Sequence, residues 1–399
     1  MLKLAISAQL PLVAVRTRDL INLSNVIYAI CGKKPTPWLA NTAFSEGKVY
    51  LHIVQQLADT KANWPALYNK LAETESTLLV VNMPQAPETM FDAGEVPVPR
   101  ALMVAFLKEV TDSQKKAEEL LRGLGGCTIK EATELVRLTM ARDQSLALNG
   151  LMETRKSSFQ SNAGLSQVDG RQDFYEPHTA LSSWLKREAD FFLTGAETKL
   201  RPRGLLFDGP PGTGKTAGAK WVAHSLGVPL YRVDIGGTKN KYVGSSEQNM
   251  LANLGRLDSE EPCVALIDEV EKVFGNKEYD SGTTTTMLSQ LLWWLAEHQS
   301  RVLTILTTNN SKILPPELYR EGRIDDVMWF EGLDADAALP FIRSVLKSLK
   351  LGDGMALAIK QSVWKVGTDK AKFVSQAALT KAVYSFVKSN SKSTLPVAI

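Results

Sequence analysis

Cysteine is scarce in this sequence: Cys31, Cys127 and Cys263 are the only three in 399 residues, and they lie far apart. That count and spacing exclude a disulfide framework and a C-x-x-C zinc site, and they fit a reducing cytoplasm. The four histidines, His52, His178, His224 and His298, are scattered and form no H-E-x-x-H, which excludes a fused metalloprotease. His52 sits alone in an apolar run and reads as a packed core residue. Long apolar runs are missing as well. Leu4 to Val15 is interrupted by Ser7, Gln9 and Pro11, and nowhere do some ~18 apolar residues run together, so no membrane span is expected. That opening stretch reads as a buried strand rather than a signal peptide, although Lys3 precedes it. Charge of one sign is also lacking, with 46 Lys and Arg against 43 Asp and Glu. With 44% hydrophobic residues the composition is that of a folded globular chain, not a disordered or collagen-like one. Only residues 333–399 are clearly basic, with ten cations against four acids. Such a segment reads as a solvated helical surface, with a nucleic-acid patch as the alternative.

What is present is a regular order of elements. At roughly 100 to 200 residues per domain, the length implies two or three domains. In residues 1–158, Leu12–Val15, Val49–Val54 and Leu78–Val81 read as strands among helical stretches, an α/β domain. Thr128 and Glu131 form a capping box that opens a helix through about Arg142, because hydroxyl and carboxylate can satisfy the free amides of a first turn. The polar stretch from Arg155 to Gln172 reads as the boundary. Within residues 159–332, strands at Gly204–Asp208, Leu230–Asp234, Cys263–Ile267 and Val302–Thr307 alternate with helices at Thr216–Leu226, Ser246–Leu257 and Thr285–His298. This alternation demands a parallel sheet covered on both faces. In residues 333–399 the strands stop, and Ala335–Leu349 and Val374–Val387 read as helices of a small appended domain.

Three strand ends carry the chemistry. Gly209-Pro210-Pro211-Gly212-Thr213-Gly214-Lys215-Thr216, running into Ala217, matches G-x-x-x-x-G-K-S/T between an apolar strand and a helix. Glycines let backbone N–H groups close on a β-phosphate, the helix start adds its positive end, Lys215 neutralises β- and γ-oxygens, and the Thr216 hydroxyl binds Mg2+. The strand Cys263–Ile267 delivers Asp268 and Glu269 to a carboxyl edge: Asp268 suits the magnesium shell, and Glu269 suits orienting the attacking water. The strand Val302–Thr307 delivers Thr308 and Asn309, with Asn309 facing the γ-phosphate or that water. Arg320 and Arg323 follow at the end of a short helix, as guanidinium groups suited to transition-state charge or as helix-end surface charges.

Taken together, GPPGTGKT, VALIDE, TTNN and PPELYREGRIDD resemble the AAA family of AAA+ ATPases over about residues 165–390. The resemblance implies an α/β fold, a P-loop parallel-sheet core with a helical lid, bound ATP and Mg2+, and sites shared between subunits of a homo-oligomer, usually a hexamer. It implies that Asn309 is sensor 1 and that Arg320 and Arg323 are arginine fingers, Arg320 more firmly because Glu321 lies between them. Asn310 and Asp326 depart from the family pattern, which often has Arg there, and no arginine stands near Ser375 to Ala378, in keeping with this branch. Lys241-Tyr242-Val243-Gly244 resembles pore loop 1 of spastin, katanin and FtsH-like unfoldases, which would place Tyr242 and Val243 in the ring channel. Asn276 to Thr286 would fall near a second pore loop. The spacing of Gly123, Thr128, Glu131, Arg142 and Gly164 ahead of Trp184, Leu185 and Lys186 is similar to the Ycf-type AAA proteins of plastids and cyanobacteria. Their resemblance implies that residues 1–158 are a degenerate nucleotide-fold domain without a phosphate loop of its own.

The expected function is ATP hydrolysis that remodels or threads a protein client through a ring. A nucleic-acid motor on the same chemistry is the first alternative, with Lys239 and Lys241 beside Tyr242 in its favour. A nucleotide-dependent switch or scaffold is the second.

Overall fold

A computed structural model describes residues 1–39, 42–54, 62–159, 164–170, 174, 180–194, 197–235, 245–274, 282–320, 322–364 and 373–390. The chain divides into two units, Met1–Thr154 and Arg155–Ile399.

The first unit is built on a sheet of five strands, β1 (Leu12–Arg16), β2 (Thr36–Pro37), β3 (Val49–Ile53), β4 (Thr77–Val81) and β5 (Phe91–Glu95), in the order β2-β3-β4-β1-β5. All pairings are parallel. β4 is buried along its whole length, as a Val- and Leu-rich strand covered on both faces must be. The apolar side chains divide between two clusters, one around Leu23, Ile27 and Leu79, the other around Tyr50, Trp64 and Leu78. Three further helices, Arg100–Thr111, Gln114–Gly123 and Ile129–Asp143, pack on a separate cluster around Leu107, Leu120 and Val136. The helix Ile129–Asp143 has its capping box: Thr128 Oγ1 accepts from Glu131 N at 3.2 Å, and Thr128 N donates to Glu131 Oε2 at 2.8 Å.

One expectation is corrected here. The opening residues are not one strand, because Leu2–Ser7 is a helix and β1 begins only at Leu12. Leu2, Ala5 and Ile6, spaced three and four apart, are its buried face, a helical spacing inside an apolar run. Within the polar stretch Arg155 to Gln172, Leu165–Val168 is a strand of the second unit.

The second unit holds a six-stranded sheet: β6 (Leu165–Val168), β7 (Gly204–Asp208), β8 (Leu230–Val233), β9 (Cys263–Ile267), β10 (Val302–Thr308) and β11 (Asp326–Trp329), ordered β11-β7-β10-β9-β8-β6. Five strands are parallel, and β6 pairs antiparallel with β8 at one margin. β7, β9 and β10 are buried throughout. One cluster, around Tyr231, Met250, Leu291 and Leu306, covers one face, and another, around Phe207, Val222, Leu266 and Ile305, covers the other. The helices Ala335–Ser348, Ala356–Val363 and Gln376–Asn390 carry a core of their own around Ile342, Leu346, Ile359 and Leu379. Among the described residues no helix is long and apolar enough to cross a membrane.

Register places the site. Thr308 of β10 pairs with Asp208 of β7, and Leu306 with Ile267 of β9, so the chain leaves three neighbouring strands at Gly209, Asp268 and Asn309. The carboxyl edge of a parallel sheet is where such folds bind ligands.

Candidate nucleotide site

The loop after β7 needs glycine at its first position. Gly209 has φ 147°, and a Cβ there would lie 2.0 Å from the carbonyl oxygen of Phe330. Gly214, at φ 92°, ends the loop and opens the helix Lys215–Leu226, whose first N–H groups are free to meet an anion. The loop thus carries glycine at Gly209, Gly212 and Gly214, where the backbone takes positive φ.

Lys215 lies under the loop with only 7% of its surface exposed. Its Nζ donates to Gly209 O at 2.6 Å, to Pro210 O at 2.9 Å and to Asn309 Oδ1 at 2.9 Å. Burial lowers its pKa below the usual lysine value, while Glu271, Asp208, Asp268 and Glu269 pull it back up. Thr216 Oγ1 lies 3.1 Å from Asp268 Oδ1 and 3.2 Å from Oδ2. Thr307 steadies both acids, because its hydroxyl donates to Asp268 Oδ1 at 2.6 Å and accepts from Glu269 N at 2.9 Å. Glu269 adopts the left-handed region at φ 54°, a conformation rare for a side chain of its kind. Its carboxylate is ion-paired with Lys272 at the surface, which raises the Lys272 pKa. Asn309 donates to Glu271 through both its backbone N–H and its side-chain amide.

These groups edge a cavity of about 1130 Å3, slightly above the usual span of roughly 300–1,000 Å3 for ligand clefts. Pro211 to Ala217, Asp268, Glu269, Thr307 and Asn309 form one wall, and Phe341, Lys347, Ala377 and Tyr384 of the helices beyond residue 333 form the other. Ala377 N donates to Gly212 O at 3.0 Å, joining the walls directly.

The structure therefore gathers Gly209 to Ala217, Asp268, Glu269 and Asn309 at one place. It does not bring Arg320 and Arg323 there. Arg323 lies at the opposite, amino edge of β7, where its carbonyl oxygen would sit 2.7 Å from a Cβ on Gly204, and its Nη1 donates to Glu317 O at 2.6 Å. Arg320 is exposed, and neither arginine lines the cavity. Tyr242, Val243, Asn276 and Glu321 fall outside the described residues. Sequence reasoning missed Thr307, Glu271 and Phe174. Thr307 is the last residue of the expected strand Val302–Thr307, and Glu271 stands two residues after the Asp-Glu pair. Phe174 comes from the polar stretch after residue 170, and its ring packs over Gly218 and against Trp221 and Phe330.

A parallel sheet with a glycine loop and buried lysine on its first strand, an acid pair on a second and an asparagine on a third defines a P-loop nucleotide-binding domain. Residues 205–332 match the family described as ATPase family associated with various cellular activities (AAA), and the chain carries an AAA domain. Among curated proteins the chain is similar to an uncharacterized AAA domain-containing protein ycf46 of Guillardia theta, 38% identical over 174 residues, or 40% of this chain and 34% of that protein. The ycf46 protein of Trieres chinensis is 36% identical over 155 residues, covering 38% of this chain and 31% of that protein. The chain thus spans about a third of the length of the curated relatives it matches.

Proposed function

We propose that this chain binds ATP with Mg2+ at Gly209–Ala217 and hydrolyses it, and that turnover remodels or threads a protein client through an oligomeric ring. The convergence of Lys215, Thr216, Asp268 and Asn309 on one cavity wall carries this reading. Lys215 exchanges its loop carbonyls for phosphate oxygens, a charge-assisted contact stronger than the ones it leaves. The Thr216 hydroxyl and Asp268 carboxylate are adjacent hard oxygen donors, the set that suits Mg2+. The ion supplies neutralisation of phosphate charge when bound. Glu269 holds and polarises the attacking water once its carboxylate is free of Lys272.

Arg320 is exposed and does not line its own chain's cavity, which suits a group that serves a neighbouring subunit's site. Tyr242 and Val243 support a protein client on sequence alone, since an aromatic and aliphatic pair grips an extended chain through apolar contact. The test is ATP turnover in the wild type and in Glu269→Gln, repeated with unfolded polypeptide and with Tyr242→Ala. Turnover stimulated by polypeptide and lost to stimulation in Tyr242→Ala supports the reading. Stimulation by single-stranded nucleic acid instead, falling steeply with salt, favours a nucleic-acid motor.

A further inference from the structure

A third acid follows β9 besides Asp268 and Glu269. Glu271 opens the short helix Glu271–Phe274, and its Oε1 accepts from Asn309 N at 3.2 Å and from Asn309 Nδ2 at 2.7 Å. Its Oε2 is buried and meets no donor among the described residues. The other half of the Asn309 amide, Oδ1, accepts from Lys215 Nζ at 2.9 Å. The Asn309 amide is thus suspended between a carboxylate and an ammonium. One orientation satisfies both; the reversed one sets C=O against carboxylate and NH2 against ammonium, and both contacts become repulsive.

We propose that Glu271 is a positioning residue that sets the orientation of the Asn309 amide and, through it, how Asn309 meets the terminal phosphate and the attacking water. The inference rests on the ATP-hydrolase reading above. While Lys215 is tied to Gly209 O, Pro210 O and Asn309 Oδ1, charges at both ends hold the amide. Once Lys215 turns to phosphate, the ammonium end is released and Glu271 alone fixes which amide atom faces the cavity. Glu271 needs no contact with nucleotide to do this, and it does not line the cavity.

The test is a cycle of Glu271→Ala, Asn309→Ala and the double variant in the full chain, read as kcat and KM for ATP. It is also read as the ratio of affinities for fluorescent ADP and a non-hydrolysable fluorescent ATP analogue. Glu271→Ala is expected to lower kcat about tenfold with KM changed less than threefold, and to shrink the preference for the ATP analogue as Asn309→Ala does. Adding Glu271→Ala to Asn309→Ala is expected to change either readout less than twofold, because there is no amide left to orient. The isosteric Glu271→Gln, which keeps an acceptor but loses the charge, is expected to lower kcat about threefold in the same Asn309-dependent way. It serves in place of Glu271→Ala if that variant does not fold. Multiplying effects in the double variant, or a rise in KM with unchanged kcat, overturn this inference alone. If the wild type binds nucleotide without turnover, the affinity ratios carry the same cycle. A wild type that binds no nucleotide overturns the hydrolase reading and this inference with it.

Discussion

In the first unit the chain leaving β1 fills the carboxyl edge of its sheet with Arg18 and Asp19; in the second, the chain leaving β7 arches away as a glycine loop beside a cavity. Both sheets are parallel where these loops begin, and both edges face a helix start. In the first unit the start of the helix Ile129–Asp143 is met from inside. Asp19, 3% exposed, accepts from Lys130 N at 2.9 Å, from Asn22 N at 3.0 Å and from Asn22 Nδ2 at 2.9 Å. Arg18 donates to Gly126 O at 2.8 Å and bridges Glu95 and Glu131. Asn82, leaving β4, ties to Thr17 N at 2.8 Å and Thr17 O at 3.0 Å. A built-in carboxylate stands at this helix start where the second unit leaves its amides and Lys215 for an anion. The same architecture therefore gives a closed edge or a binding edge according to whether the chain supplies its own anion.

The largest effect should come from breaking the open side. Lys215→Ala is expected to weaken nucleotide binding at least about 10²-fold, because the loop loses its buried cation against the phosphates, as measured by fluorescent-nucleotide titration. Breaking the closed side tests folding instead. Asp19→Ala leaves Lys130 N–H and the Asn22 amides without their acceptor and should cost about 2–3 kcal/mol in urea unfolding, with nucleotide affinity unchanged.

A pH measurement sharpens the comparison at the other edge of the open sheet. His298, stacked on Trp294 and with Nδ1 3.1 Å from Ser300 Oγ, is buried, and its pKa falls from 6.5 to about 4, chiefly through burial and then through Arg203. The unfolded chain takes up a proton at this residue near pH 6.5, whereas the folded chain does so only near pH 4. His298 therefore contributes its full stabilisation above pH 6.5 and loses it as pH falls toward 4. Wild type should lose about 2 kcal/mol more than His298→Gln over that window in urea unfolding. The smallest effect is expected for Arg16→Ala. Its pair with Asp92 is 57% and 44% exposed, so removing it should change stability by under about 1 kcal/mol. A larger loss would mean that surface pairs, and not the buried Asp19, close the first edge.

How much of this was legible in the sequence depends on burial. β7 and β9 are apolar runs, β10 is interrupted only by Thr304 before its closing threonines, and polar residues or glycine follow each, so their approximate spans and the edge residues Gly209, Asp268 and Asn309 could be read directly. β5, Phe91–Glu95, carries two acids and a glycine and is partly exposed, so no apolar pattern marks it; its place follows from pairing with β1. β6, Leu165–Val168, is four residues at a margin inside a polar stretch, and its antiparallel pairing with β8 has no local sign. Arg18 and Asp19 form an unremarkable Arg-Asp pair in sequence. Their role depends on Gly126, Lys130 and Glu131, more than 100 positions away. Glu271 was hidden by its neighbours, since an Asp-Glu pair after a strand draws attention away from a further acid.

The most direct test of the contrast between the two edges is the number of ATP-analogue molecules bound per chain, measured by titration calorimetry with Mg2+. One site per chain in the wild type, unaffected by Asp19→Ala and absent in Lys215→Ala, is the expected result. Binding that survives Lys215→Ala at wild-type affinity, or a second site lost with Asp19→Ala, would contradict it.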